Sequence, residues 1–207
     1  MATQTIQLTP HTDPTPEVVE VERELSGAQW CARFPRSKSI ATQQPKFQLA
    51  VSDFFWALEN ASAECHIANT YRPNEACYLM NSAWRIWKGR IKPEAVPDMP
   101  GVHIEWVHKT KEESTIAAYE MCVGYKITRL EDAPALESNH TKGLAIDVSI
   151  SWSGTLTVKD GHDHDVVIDT LPRDNMNHAL WKVGASYGVV RYYRPERDRP
   201  HWSADGK

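Results

Sequence analysis

One stretch restricts the fold more than any other. From Leu144 to Ser151, the aliphatic residues Leu144, Ile146, Val148 and Ile150 alternate with Ala145, Asp147, Ser149 and Ser151. Successive side chains of a strand point to opposite faces, so the run predicts a strand over 144–152 whose aliphatic face enters a core. Asp147 then shares the other face with Ala145. Ser138-Asn139-His140-Thr141-Lys142-Gly143 reads as a loop leading into this strand, and the chain can fold His140 back over the second face. Gly143 and Ala145 are small and are expected to leave room in front of Asp147. An imidazole and a carboxylate converging beside small residues supply half of a zinc site.

The chain around this stretch is long enough for one good-sized domain with a core, or one domain plus a tail, at 207 residues. Its 41% hydrophobic residues and eight tryptophans indicate a globular fold. A net charge of −4 gives no reason to expect nucleic acid as a partner. No window approaches the ~18 uninterrupted apolar residues of a transmembrane helix. Met1 to Pro10 lacks a basic region followed by an apolar run, so no secretory signal is expected. The four cysteines Cys31, Cys65, Cys77 and Cys122 show no close metal-type pairing and are expected as reduced, mostly buried thiols. Synthesis in the cytoplasm follows, with later export by a dedicated machine or release by lysis.

Residues 1–24 carry Pro10, Pro14 and Pro16 and an acidic Val/Glu alternation; they read as a flexible N-terminal arm ahead of a domain over 25–207. Phe47, Val51, Phe54, Phe55 and Leu58 recur at helical spacing and predict a helix over 47–59. Glu64 to Thr70 reads as a short strand. Tyr71-Arg72-Pro73 follows, then a helix over 75–88 with Leu79, Ala83, Ile86 and Trp87 on its apolar face. Arg72 thus sits where a strand meets a helix. It either faces a cleft or is a surface arginine in a structural ion pair. Residues 101–108 are ambiguous, extended at best. A helix is expected over 112–121, a partly extended piece over 123–130, a hairpin around Asp160-Gly161, a helix over 175–187 ending before Gly188, and a strand over 189–193.

Asp198-Arg199-Pro200-His201 complements the opening stretch. Pro200 disfavours helix at Arg199 and stiffens the approach to His201. Catalytic zinc commonly takes three protein ligands and leaves a fourth position to water; His140, Asp147 and His201 make such a set. A carboxylate three residues from a ligand histidine, Asp198, can reach that water without binding the ion and act as its base.

Ser-x-His-x-x-Gly-x-Ala-x-Asp, present as Ser138 to Asp147, resembles the signature of the zinc D-alanyl-D-alanine carboxypeptidases and L-alanyl-D-glutamate endopeptidases that cut peptidoglycan. Asp198-x-x-His201 resembles the closing base-x-x-His motif of that family, and Tyr71-Arg72 its arginine on a strand-to-helix turn. The resemblance spans roughly residues 45–203. It implies an α+β fold of the Hedgehog/DD-peptidase kind, with a small antiparallel sheet carrying the zinc site and helices packed behind it. It implies one Zn2+ held by His140, Asp147 and His201, with Asp198 as general base and acid. Arg72 would stabilise the oxyanion or hold a substrate carboxylate or carbonyl, beside Ser138 of the signature. Aspartate at 198, where the carboxypeptidase branch usually has glutamate, favours an endopeptidase. Peptidoglycan would be the substrate, reached after lysis, passage through a holin pore or specialised secretion. Delivery machinery or an inhibitor protein would be its protein partners. Two alternatives stand: a D-alanyl-D-alanine carboxypeptidase or dipeptidase, and a catalytically silent zinc-binding interaction module.

Other residues invite competing readings. His162-Asp163-His164-Asp165 is a rival metal cluster, but on a strand its histidines and aspartates would face opposite ways, and the simpler reading is a solvated hairpin tip. His103, Glu105 and His108 could line a groove or be ordinary loop residues. Trp84, Trp87, Trp106, Trp152 and Trp181 read as core, whereas Trp202, next to a proposed ligand, is expected to border the cleft and touch substrate. Glu196 is an alternative base, five residues before His201.

Overall fold

A computed structural model describes residues 22–207. Most of the arm read from the sequence therefore lies outside the described residues. Its last part is tied down: Arg23 forms a two-pronged ion pair with Asp98, and Glu24–Leu25 (β1) runs parallel to Ile104–Glu105 (β3).

The fold is mixed α/β with small antiparallel sheets and, among the described residues, four α-helices. Pro45–Asn60 (α1) begins with proline at its first turn, where a missing N–H costs nothing. It buries Phe47, Val51, Phe54, Phe55 and Leu58, the residues whose spacing predicted it. Asn74–Trp87 (α2) and Lys111–Gly124 (α3) pack on each other. The start of α3 is fixed by a capping box, in which Thr110 Oγ1 accepts from Glu113 N and Glu113 Oε2 accepts from Thr110 N. The extended piece expected over 123–130 does not form: this helix takes Val123 and Gly124, and 125–130 are turns and irregular chain. Met121 and Cys122 are buried against α2, Val123 is left on the exposed side, and the chain leaves the helix through Lys126 at φ 60°.

The principal sheet has the order β2-β4-β8-β7, all antiparallel. Its strands are Glu64–Asn69 (β2), Ala145–Ser151 (β4), His201–Ser203 (β8) and Val190–Arg191 (β7). Leu156–Lys159 (β5) and Asp165–Ile168 (β6) form a separate hairpin, and His178–Ser186 (α4) follows it, its end joined to β7. Ile146, Val148 and Ile150 of β4 are buried with Phe54, Leu58, Leu180 and Trp202, so the core lies between this face of the sheet, α1 and α4. A second apolar cluster joins α2 and α3 through Leu79, Met80, Trp84, Ile104 and Met121. Trp84, Trp106 and Trp152 are buried, as read from the sequence. Among the described residues no helix is long and apolar enough to cross a membrane.

Candidate metal centre

Register places the site. Asp147 lies opposite His201 on β8 and opposite Asn69 on β2. Directly opposed residues of antiparallel strands share a face, with Cβ atoms about 5 Å apart. Asn69, Asp147 and His201 therefore form a row across three strands, on the side away from the core. Asn69 joins the row because β2 shifts register between Ile67 and Asn69. Without that extra residue, Ala68 would stand against Asp147 and Asn69 would turn to the core; irregularities of this kind often re-aim one side chain.

His140 enters from the loop before β4. Its Nδ1 lies 3.0 Å from Thr70 O and 3.1 Å from Asn69 Nδ2. The Thr70 carbonyl can only accept, so the shorter contact places the proton on Nδ1, and the His140 carbonyl accepts from Arg72 N at 3.3 Å. The end of β2 thus holds both the ring and its main chain. With the proton on Nδ1, Nε2 presents a lone pair. His201 is held the other way round: Nε2–H donates to Lys207 O at 3.1 Å, which leaves the lone pair on Nδ1. Asn69 Nδ2 donates to Asp147 Oδ2 at 3.4 Å and leaves Oδ1 unclaimed.

The three freed atoms meet. His140 Nε2 is 3.1 Å from Asp147 Oδ1 and 3.2 Å from His201 Nδ1, and His201 Nδ1 is 3.3 Å from Asp147 Oδ1. Three lone pairs at this separation repel unless a proton or a cation lies among them. A tetrahedral ion with ligands at 2.0–2.1 Å has edges of about 3.3–3.4 Å, close to the sides of this triangle. The residues therefore fit a divalent metal, and His140, Asp147 and His201 are the one such group among the described residues. His140 is 3% and His201 7% exposed, so neither ring can turn away freely.

Electrostatics agree with the geometry. Burial pushes the Asp147 carboxyl up, but hydrogen bonds and charge from His140 and His201 outweigh it and hold the group well below the usual carboxylate range. Burial pulls His201 down, yet the hydrogen bond and charge of Asp147, with Asp198 behind it, leave it raised. Asp198 is raised, first by burial and then by the charge of Asp147, against the pull of His201, His140 and Arg191.

The triangle opens into a cleft of about 670 Å³ lined by Arg72, Ser138, His140, Asp147, Tyr192, Asp198 and His201, among others. Asp198 Oδ2 is 3.9 Å from His201 Nδ1, with its side chain half exposed. Arg72 Nε and Ser138 Oγ are buried in the cleft wall without a hydrogen-bond partner. The structure thus brings together Arg72, Ser138, His140, Asp147, Asp198 and His201.

Trp202 is elsewhere. It is fully buried on the core face of β8, opposite Ile146 and 5.7 Å from Phe54 between ring centroids. Strand alternation requires this once His201 faces the cleft, so Trp202 does not border substrate. Gly143 and Ala145 also lie off the cleft. Gly143, at φ 66°, has the main chain of Thr42, Gln43 and Gln44 within about 3.3 Å of where a Cβ would stand. Its smallness serves that close approach, not space before Asp147. Glu196 is exposed and does not line the cleft. His162 to Asp165 is the solvent-exposed tip of the β5–β6 hairpin, where Asp160 Oδ1 accepts from His162 N and His164 N. His108 accepts or donates to Ser26 Oγ at 2.9 Å, and it, His103 and Glu105 lie outside the metal cleft.

Sequence reasoning missed Asn69 and Tyr192. Tyr192 packs edge-on against His201, with ring centroids 5.4 Å apart. Nothing in the pattern of β2 announces the register shift that turns Asn69 to the metal face, where it is buried; a polar residue ending a strand beside a Thr-Tyr-Arg turn is the available signal. Comparison of the chain with protein-family models, curated proteins and solved structures finds no match.

Proposed function

We propose that the chain is a zinc-dependent peptidase that hydrolyses bonds in peptidoglycan stem peptides, as an endopeptidase rather than a carboxypeptidase. The observation that carries the reading is the triangle of His140 Nε2, Asp147 Oδ1 and His201 Nδ1, with a carboxylate that is not a ligand beside it. Two imidazoles and one carboxylate are a donor set that suits zinc. Peptidoglycan as substrate rests on the resemblance of Ser138–Asp147 and Asp198–His201 to wall peptidases.

Such an ion supplies Lewis acidity, bringing the pKa of a coordinated water toward ~7 and polarising a carbonyl. The chain's own residues do the rest. Main-chain oxygens of Thr70 and Lys207 hold the two imidazoles with their lone pairs inward. Asp198 Oδ2, beside the triangle without being part of it, takes the proton of the attacking water and returns it to the leaving amine. Arg72 lines the cleft and brings a positive charge there, suited to the developing oxyanion. Ser138 lines the cleft beside Arg72, with its Oγ buried and unpartnered, and would reach the substrate backbone only by turning outward. The enzyme would act on the wall after lysis, holin passage or specialised secretion.

The test is digestion of purified peptidoglycan with and without a chelator, with zinc content measured in parallel and products read by mass spectrometry. New internal stem-peptide termini that vanish with chelation support the reading. Release of terminal D-alanine alone would move it to a carboxypeptidase. Stoichiometric zinc without any peptide product would leave the binding-module alternative and sink the peptidase.

A further inference from the structure

Asp198 and His201 sit on a segment with little regular structure of its own. Between Arg191 and His201 the chain is turns and bends, and β8 is three residues long. Something must hold the 198–201 segment if its carboxylate and imidazole are to keep their places.

Arg191, on β7, is 6% exposed. Among the described residues its guanidinium donates to three main-chain carbonyls of that segment: Nη1 to Asp198 O at 3.3 Å and to His201 O, and Nη2 to Arg199 O at 2.5 Å. Its one other contact of this kind is Nη2 to Met176 Sδ at 3.8 Å. Its ring neighbour is Trp202, 5.3 Å from the guanidinium carbon. Burial pushes the guanidinium down to about 10, so it remains a cation at neutral pH. A buried cation is costly unless its donors are met; here the two Nη groups are spent on carbonyls rather than on a carboxylate, while Nε is buried without a partner. A planar fork with five N–H donors can gather several carbonyls at once, which a lysine cannot do in the same geometry. Asn175 adds a second grip, donating from Nδ2 to Arg199 O at 3.0 Å and to Val148 O at 2.6 Å, so the segment is also stitched to β4.

We propose that Arg191 is a positioning residue for the metal centre: its buried guanidinium ties the carbonyls of Asp198, Arg199 and His201 into one rigid turn and so sets where the base and the third ligand stand. This rests on the reading of His201 as a ligand and Asp198 as a base, but Arg191 touches neither metal nor substrate.

The test uses Arg191→Met and Arg191→Lys in the full chain, with Co2+ as the metal probe. Its affinity, its visible spectrum and amide hydrogen exchange are read for each protein. Loss of an outer partner of a metal site typically weakens metal binding ~10–100-fold. We expect a weakening in that range for Arg191→Met, a smaller one for Arg191→Lys, an altered cobalt spectrum, and faster exchange confined to 198–203. A purely structural role would instead speed exchange throughout the sheet and leave the spectrum of the folded fraction unchanged. Wild-type cobalt affinity with wild-type exchange in a folded Arg191→Met protein overturns the proposal. If Arg191→Met does not fold, Arg191→Lys decides on the same readouts. If neither folds, the wild-type protein decides: Arg191 Nη protons that exchange with solvent as fast as those of exposed arginines overturn it, and slow exchange supports it. None of these readouts needs peptide hydrolysis. Failure of the peptidase reading appears as an inactive wild type, and failure of the clamp appears as unchanged variants.

Discussion

Two places in this chain are rich in histidine and aspartate, and they have opposite characters. His162-Asp163-His164-Asp165 packs its four residues into four consecutive positions, yet its side chains spread into solvent at a hairpin tip. His140, Asp147 and His201 are spread over 61 residues of sequence, yet three of their atoms lie within 3.3 Å of one another. Closeness along the chain does not make a metal site. At the tip, Asp160 is engaged with main-chain N–H groups, His164 Nδ1 is 3.5 Å from Asp160 Oδ2, and both imidazoles are exposed. At the sheet, each imidazole spends one nitrogen on a main-chain oxygen and has the other aimed by that bond. Preorganised lone pairs on a rigid strand row, not residue composition, separate the two.

The sharpest break of this comparison is His140→Ala. Removing one of three ligands is expected to cost about 3 kcal/mol, on the order of a hundredfold or more in zinc affinity, and peptide hydrolysis should fall to background; zinc content after dialysis reads it directly. Full zinc occupancy in that variant would mean the triangle is not the site.

Asp198→Asn separates binding from chemistry. Zinc content should remain, while turnover drops ~10²–10⁴-fold, the usual contribution of a positioned general base. Parallel metal analysis and kcat measurement distinguish this outcome from simple loss of the ion.

Asn69→Ala tests the row across the strands. Asp147 Oδ2 loses its amide donor, and zinc affinity should weaken ~10–100-fold. An unchanged affinity would show that the register shift in β2 serves packing alone.

Proton and ion compete for His201 Nδ1. In the metal-free protein the pKa of His201 is raised, so the stability it contributes is fully present below about pH 6.5, its ordinary value. That contribution is lost as pH rises through the raised folded value. Zinc must displace the same proton, so its apparent affinity should climb about tenfold per pH unit up to that value and then level off. Calorimetry in buffers of different ionisation enthalpy counts the released proton, and a flat profile would contradict the coupling. The smallest effect is expected at the other cluster. His162→Ala and His164→Ala should leave zinc content unchanged and stability within ~0.5 kcal/mol.

Much of this is legible in the amino-acid sequence. The alternation over 144–152 predicted β4, and 3.6-residue spacing predicted α1 and α2 within two residues at each end. His140, Asp147 and His201 were named as one ligand set because each carried a local reason to face a cleft. Local pattern failed at 123–130: burial of Met121 and Cys122 keeps the last turn of the helix going through Val123 to Gly124, and 125–130 are turns and irregular chain.

What the sequence determined by itself was the periodicity: which residues belong to helices, which face of β4 is apolar, and that an imidazole and a carboxylate stand at its head. Tertiary structure alone decided the pairing. Only the register of β2, β4 and β8 puts Asn69, Asp147 and His201 in one row and sends Trp202 to the core. Only folding brings the main-chain oxygens of Thr70 and Lys207 to the imidazoles and so chooses which nitrogen each one offers. The reason is physical. Alternation along a strand is a property of neighbouring residues, whereas register and tautomer depend on partners tens of residues away, whose positions no local spacing encodes.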